Sequence, residues 1–162
     1  MWSGSAGGGA AAAPVTTARY WRLVARRPLL GHSGDGFGVC LFNFRAAGAA
    51  LIPVNGAAGF APLTSAGGFS VNGAFNGSSA VNNGWYSGGG DGVFSLAPYI
   101  GYDFGTAKTP TSVEFAPLTS FAWSIGETLK LESSTDKIIW RTVEIISPAA
   151  GADGVVQSFA IS

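Results

Sequence analysis

No stretch of this chain carries a convincing helical period, and its apolar segments alternate with a period of two. In "RYWRLVA", residues 19–25, Tyr20, Arg22 and Val24 fall on one side and Trp21, Leu23 and Ala25 on the other. That spacing belongs to a strand with one covered face. In "LKLESSTDKIIW", residues 129–140, Leu129, Leu131 and Ser133 face one way and Lys130, Glu132 and Ser134 the other. A polar turn follows, after which Ile138, Ile139 and Trp140 are expected to resume as a strand. "FGVCLFNFR", "TSVEFAPLTSF", "IIWRTVEII" and "VVQSFAIS" are further strand candidates. Alanines at 10–13 have helix propensity, but glycines flank them and Pro14 follows. The Asn-Gly and Asp-Gly pairs at 72–73, 76–77, 83–84 and 91–92 read as turns, because both residue types tolerate positive φ. About eight to ten short strands with frequent turns predict an all-β sandwich or jelly roll. "FAPLTS" occurs at 60–65 and again at 115–120; two short copies do not make a solenoid, and matching strand-to-loop corners are the expectation.

A chain of 162 residues suffices for one domain with a sizeable core. Residues 1–17, mostly Gly, Ala and Ser, have the composition of a linker. They are expected to form an extended N-terminal arm, with Trp2 as its anchor on a neighbouring subunit. The β domain is assigned to 18–162. Nine basic and nine acidic residues cancel, so the clustered charge that binds nucleic acid is missing. No apolar run reaches the length of a membrane-spanning helix. The first residues lack the basic and apolar regions of a signal peptide, and the expectation is assembly inside a cell without export by that route. Only 11% of residues are charged and 25 are glycine, a bland surface that suits a subunit flanked by neighbours.

Catalytic constellations are poor. His32, Ser33 and Asp35 lie within one turn, whereas a triad converges from separate elements. Asp91, Asp103, Glu114 and Glu127 are the carboxylates open to a hydrolytic pair. "GGGDG" has neither the helix nor the lysine of a phosphate loop. Cys40, in the apolar run "GVCLFNF", reads as a buried, inert thiol. No enzyme is expected.

"AFNG" at 74–77, "WYS" at 85–87, "YIGYDFG" at 99–105, "VEF" at 113–115 and "LKLESSTDKIIWRTV" at 129–143 occur in that order. Together they resemble the discoidin-type, or galactose-binding-like, jelly roll. In that family an "AFDG" turn precedes a tryptophan, a "WIxxDxG" strand follows, and a "SxDGxxW" hairpin comes later. Lys137 stands where the hairpin usually has glycine. Many members end with a "RYxRL" strand and an "ELEF"-like strand. Here "ARYWRL" and "CLFNFRAAG" come first, so the layout looks circularly permuted. It is similar to small modules of bacteriophage tail, fibre or capsid-decorating proteins. The resemblance covers roughly residues 18–146. It implies a jelly-roll β-sandwich with Trp21 and Trp140 in the core or half-buried on strands. Members often hold a structural calcium through the turn aspartate and a strand glutamate. Those positions here carry Asn76 and Leu41. Calcium favours carboxylate oxygens, so neither a metal nor another cofactor is expected.

The function implied is that of a non-enzymatic virion subunit, assembled in the host cytoplasm. Its partners would be other virion subunits and copies of itself, without nucleic acid or membrane insertion. The alternative is an adsorption module that grips a host surface glycan through loop aromatics and polar groups. Its candidate residues are His32, Trp85, Tyr86, Asp91 and Trp123. For Trp85 a place in the core below the loops is the competing reading.

Overall fold

The computed structural model describes residues 16–25, 37–51, 58–62, 69–86, 99–118, 128–149 and 153–162. Ten strands are present among them: β1 (Ala18–Ala25), β2 (Gly38–Ala46), β3 (Ala49–Ala50), β4 (Gly59–Phe60), β5 (Trp85–Tyr86), β6 (Tyr99–Lys108), β7 (Ser112–Pro117), β8 (Leu129–Ser134), β9 (Arg141–Ile146) and β10 (Gln157–Ala160). They form two sheets, ordered β4-β6-β1-β8-β9 and β10-β7-β2-β3, with β5 also on β2. Every ladder is antiparallel. The chain is therefore all-β, as its alternation predicts. The arm residues 1–15, including Trp2, lie outside the described residues.

The alternation of β1 sets the inner face of the first sheet. Trp21 and Leu23 are fully buried, while Tyr20, Arg22 and Val24 face outward and are half-covered. Leu129 and Leu131 do the same on β8. Phe42, Phe44, Val113 and Phe115 supply the opposing layer. Trp21 meets Phe44 edge to face at 5.8 Å between ring centroids, and its indole N–H donates to the Ala18 carbonyl at 3.0 Å. Phe104 and Tyr102 of β6 extend this aromatic core, Phe104 to Phe44 and Tyr102 to Phe75. Edge and tilted ring pairs of this kind add about 0.5–1.5 kcal/mol each beyond their area burial.

Alternation breaks in β2, where five consecutive residues are buried. Its ladder with β7 slips between Val39 and Leu41, so that two residues of β2 oppose one of β7. Cys40 and Leu41 thereby join Ala116 and Leu118 in a small cluster apart from the main core. Burial first, and Asp153 second, push the Cys40 thiol up to about 11. It is an apolar packing group at neutral pH.

The tertiary structure revises several local expectations. Ile138, Ile139 and Trp140 do not resume a strand: β9 starts at Arg141, and Ile138 is 81% exposed and Ile139 63%. Trp140 is half-buried, but against the outer surface of the first sheet rather than between the layers. The "AFNG" stretch closes a 3-10 turn, Val71–Phe75, in which the Gly73 N–H donates to the Ser70 side chain. The two "FAPLTS" copies part company. Phe115 lies in the core, whereas Phe60 ends β4 half-exposed.

Candidate functional site

The hairpin between β8 and β9 is built by two short polar side chains. Ser134 Oγ accepts from the Lys137 N–H at 2.9 Å and donates to Asp136 Oδ1 at 2.9 Å. Asp136 Oδ1 also accepts from the N–H groups of Ile138 (2.8 Å) and Ile139 (2.9 Å). These bonds, that of Ile139 first, hold the Asp136 carboxyl below the usual carboxylate range. The turn forces Lys137 to φ +66°, the region where the hairpin motif usually has glycine. A non-glycine residue there costs about 1–2 kcal/mol.

What the lysine gains is a seat on an aromatic face. Its Nζ lies 4.2 Å from the Phe60 ring centroid and 5.8 Å from that of Tyr20. A cation over a ring at an exposed site contributes about 0.5–1 kcal/mol, so the side-chain gain offsets only part of the backbone cost. Phe60 lies flat on the first sheet because Gly101 is beneath it. A Cβ on Gly101 would stand 2.4 Å from Phe60 Cζ and 2.8 Å from the Trp21 carbonyl oxygen. Phe60 touches Tyr99 and Trp140, with centroids 6.2 and 6.1 Å away.

Arg22 occupies the middle of this face. Its guanidinium carbon lies 4.0 Å from the Trp140 centroid and 4.8 Å from that of Tyr99. Its Nη2 reaches Glu132 at 2.7 Å across the β1–β8 ladder. Beside it, Arg19 grips Asp103 with two bonds, Nε to Oδ1 at 2.7 Å and Nη2 to Oδ2 at 2.8 Å. Tyr20, Arg22, Phe60, Tyr99, Lys137 and Trp140 thus share one outer surface, bordered by the Arg19–Asp103 pair.

The Arg19 guanidinium, helped by the Gly105 N–H, holds the Asp103 carboxyl below the usual carboxylate range. Its unfolded value is about 3.9. A depressed folded value means that this contribution to stability is complete above the unfolded pKa and is lost as the pH falls through the folded one. Asp103→Asn is therefore expected to lower stability at pH 7, with the gap to the parent closing below about pH 4. Urea unfolding between pH 7 and pH 2 measures this, and a gap that stays constant with pH would count against it.

The residues singled out from the sequence do not assemble here. His32, Asp91, Trp123 and Trp2 lie outside the described residues, as do Ser33, Asp35 and Glu127. Trp85 is fully buried beside Phe37, at 5.9 Å between centroids. Among the described residues its buried indole N–H has no hydrogen-bond partner. Trp85 accordingly belongs to the core and offers no ring face to a ligand from solution. Tyr86, next along β5, is half-buried against the Cys40 cluster. Asn76 spends its Oδ1 on the Ser78 N–H at 2.8 Å, and Leu41 is buried. Among the described residues, no three His, Cys, Asp or Glu side chains gather around a metal-sized space, and no helix is long and apolar enough to cross a membrane.

Sequence reasoning missed Phe60, Tyr99, Lys137 and Trp140 as one group, since two separate segments, β4 and β6, and a folded-back hairpin bring them together. Two signals were legible: the outward side of β1, and lysine at a position suited to glycine. Comparisons with protein-family models, curated proteins and solved structures gave no match to this chain.

Proposed function

We propose that this chain is a non-enzymatic subunit of a phage-like particle, a jelly-roll sandwich that works by contact with copies of itself and with other virion subunits. The jelly-roll reading is supported by the pairing of β1 with β6 in one sheet and of β2 with β7 in the other. β1 and β6 thus pair in one layer as β2 and β7 do in the other.

The observation that carries the assembly reading is the distribution of charged and apolar groups. Among the described residues, Arg19, Arg22 and Arg45 each hold a carboxylate partner in an ion pair, with Asp103, Glu132 and Glu114. Large apolar side chains stand in water instead. Ile138, Ile139 and Ile145 lie along the β9 edge, and Val81, Val155 and Val156 lie by Gly154. Such groups suit the buried centre of subunit contacts, each of which covers on the order of 1,200–2,000 Å².

The test is the assembly state of the full chain by analytical ultracentrifugation. A defined oligomer is expected, and Ile138→Ser combined with Ile139→Ser should dissolve it without loss of thermal stability, because both side chains are exposed. A parent chain that stays monomeric at high concentration would remove the reading. A second reading, attachment to a surface glycan, is favoured by the aromatic and cationic face around Trp140. It moves the candidate contact from the rim loops to the outer surface of the first sheet.

A further inference from the structure

We propose that the surface between Lys137, Phe60 and Trp140 binds an acidic saccharide, a hydroxyl-rich ring that carries one carboxylate. The inference rests on the attachment reading and gives it a ligand class.

Lys137 is the first reason. The hairpin is held by Ser134, Asp136 and backbone N–H groups, so it has no need of the lysine side chain. Glycine would meet φ +66° without strain. The residue present is a lysine whose ammonium, among the described residues, has aromatic rings beside it and no carboxylate within ion-pair distance. Its neighbours Arg19 and Arg22 are both neutralised. Among the described residues, Lys137 sits over the aromatic rings without an ion-pair partner, its charge acting only at longer range on Asp103, and Lys130, further along the outer side of β8, is likewise outside the ion pairs.

The rings are the second reason. Trp140 covers the Arg22 guanidinium with one side and remains half-exposed. A flat, half-exposed indole beside an ammonium matches the C–H face of a sugar ring and its carboxylate. The Arg19–Asp103 pair at the border, with the Arg19 side chain 43% exposed, adds donors and acceptors suited to hydroxyls. With Asp103 and Glu132 already paired to Arg19 and Arg22, the ammonium of Lys137 matches one carboxylate per ring better than a densely charged polyanion.

The test uses the full chain with trigalacturonic acid and sialyllactose, and with maltotriose and lactose as neutral counterparts. Binding is followed by saturation-transfer NMR and by tryptophan fluorescence. The acidic saccharides are expected to bind in a salt-sensitive manner, about tenfold or more tightly than the neutral ones. Lys137→Gly should cut that affinity about tenfold while melting no lower than the parent, and Trp140→Ala should abolish binding with the fold retained. Equal affinity of parent and Lys137→Gly, with neutral sugars bound as well as acidic ones, would overturn the inference and leave the attachment reading standing. Binding of none of these saccharides would remove both and leave the assembly reading untouched.

Discussion

Replacing Trp21 by alanine is expected to cost about 4 kcal/mol of folding stability, the middle of the range for a core aromatic. The same change at Trp140 should cost only about 1 kcal/mol, chiefly its contact with Arg22. Both tryptophans belong to segments of the first sheet, Trp21 within β1 and Trp140 immediately before β9, and both read as packed residues. They differ in side. Trp21 is fully buried, pressed on Phe44 of the opposite sheet and bonded through its indole N–H to Ala18. Its loss leaves a cavity between two layers that cannot close, because each layer is held by its own ladders. Trp140 covers Arg22 from outside, and water can replace it there. For a chain of this size the Trp21→Ala loss corresponds to a melting point lower by roughly 8–16 °C. Thermal and urea unfolding of both variants give the comparison. Equal losses would place Trp140 between the layers and contradict the described packing.

Gly84→Ala is expected to be nearly as damaging, about 3 kcal/mol, though it adds a single methyl group. The new Cβ would stand 2.5 Å from the Val39 carbonyl oxygen, 3.0 Å from Cys40 Cα and 3.2 Å from the Val39 carbonyl carbon. All three are backbone atoms, so no rotamer change relieves the clash. The segments must separate, and the β2–β5 ladder at Val39–Trp85 must separate with them. Gly48→Ala is the control. Gly48 has φ +83° and open space around its missing side chain, so alanine there meets only the backbone penalty of about 1–2 kcal/mol. Chemical denaturation separates the two cases. A Gly84→Ala variant no worse than Gly48→Ala would show that residues 73, 84 and 39 do not approach as closely as described.

Gly84 also shows why a turn motif can mislead. The pairs Asn72–Gly73, Asn76–Gly77 and Asn83–Gly84 look alike in sequence, and all three suggest positive φ. Gly77 alone adopts it, at +80°. Gly73 and Gly84 serve instead to let backbones touch: a Cβ on Gly73 would meet the Gly84 carbonyl oxygen at 2.7 Å. Conversely, the tight turn from β2 to β3 has positive φ at Ala47 and Gly48, a pair without asparagine or aspartate. Lys137 lies between these cases. The hairpin resemblance placed a glycine-like residue there, and its φ agrees. The reason for a lysine appears only when Phe60 and Tyr20 are seen beneath its ammonium.

By itself the sequence determined that this chain is all-β, and which side chains of β1 and β8 turn inward. Side chains alternate along any extended backbone, so Trp21, Leu23, Leu129 and Leu131 declare their face locally. The tertiary structure alone decided the order of the strands, the slip in β2 that turns Cys40 and Leu41 away from the main core into a second buried cluster, and the meeting of Phe60, Tyr99, Lys137 and Trp140. Each of these depends on backbone from distant segments arriving at one place, as Phe60 does over Gly101. Contact between distant segments leaves no local period for a sequence to show.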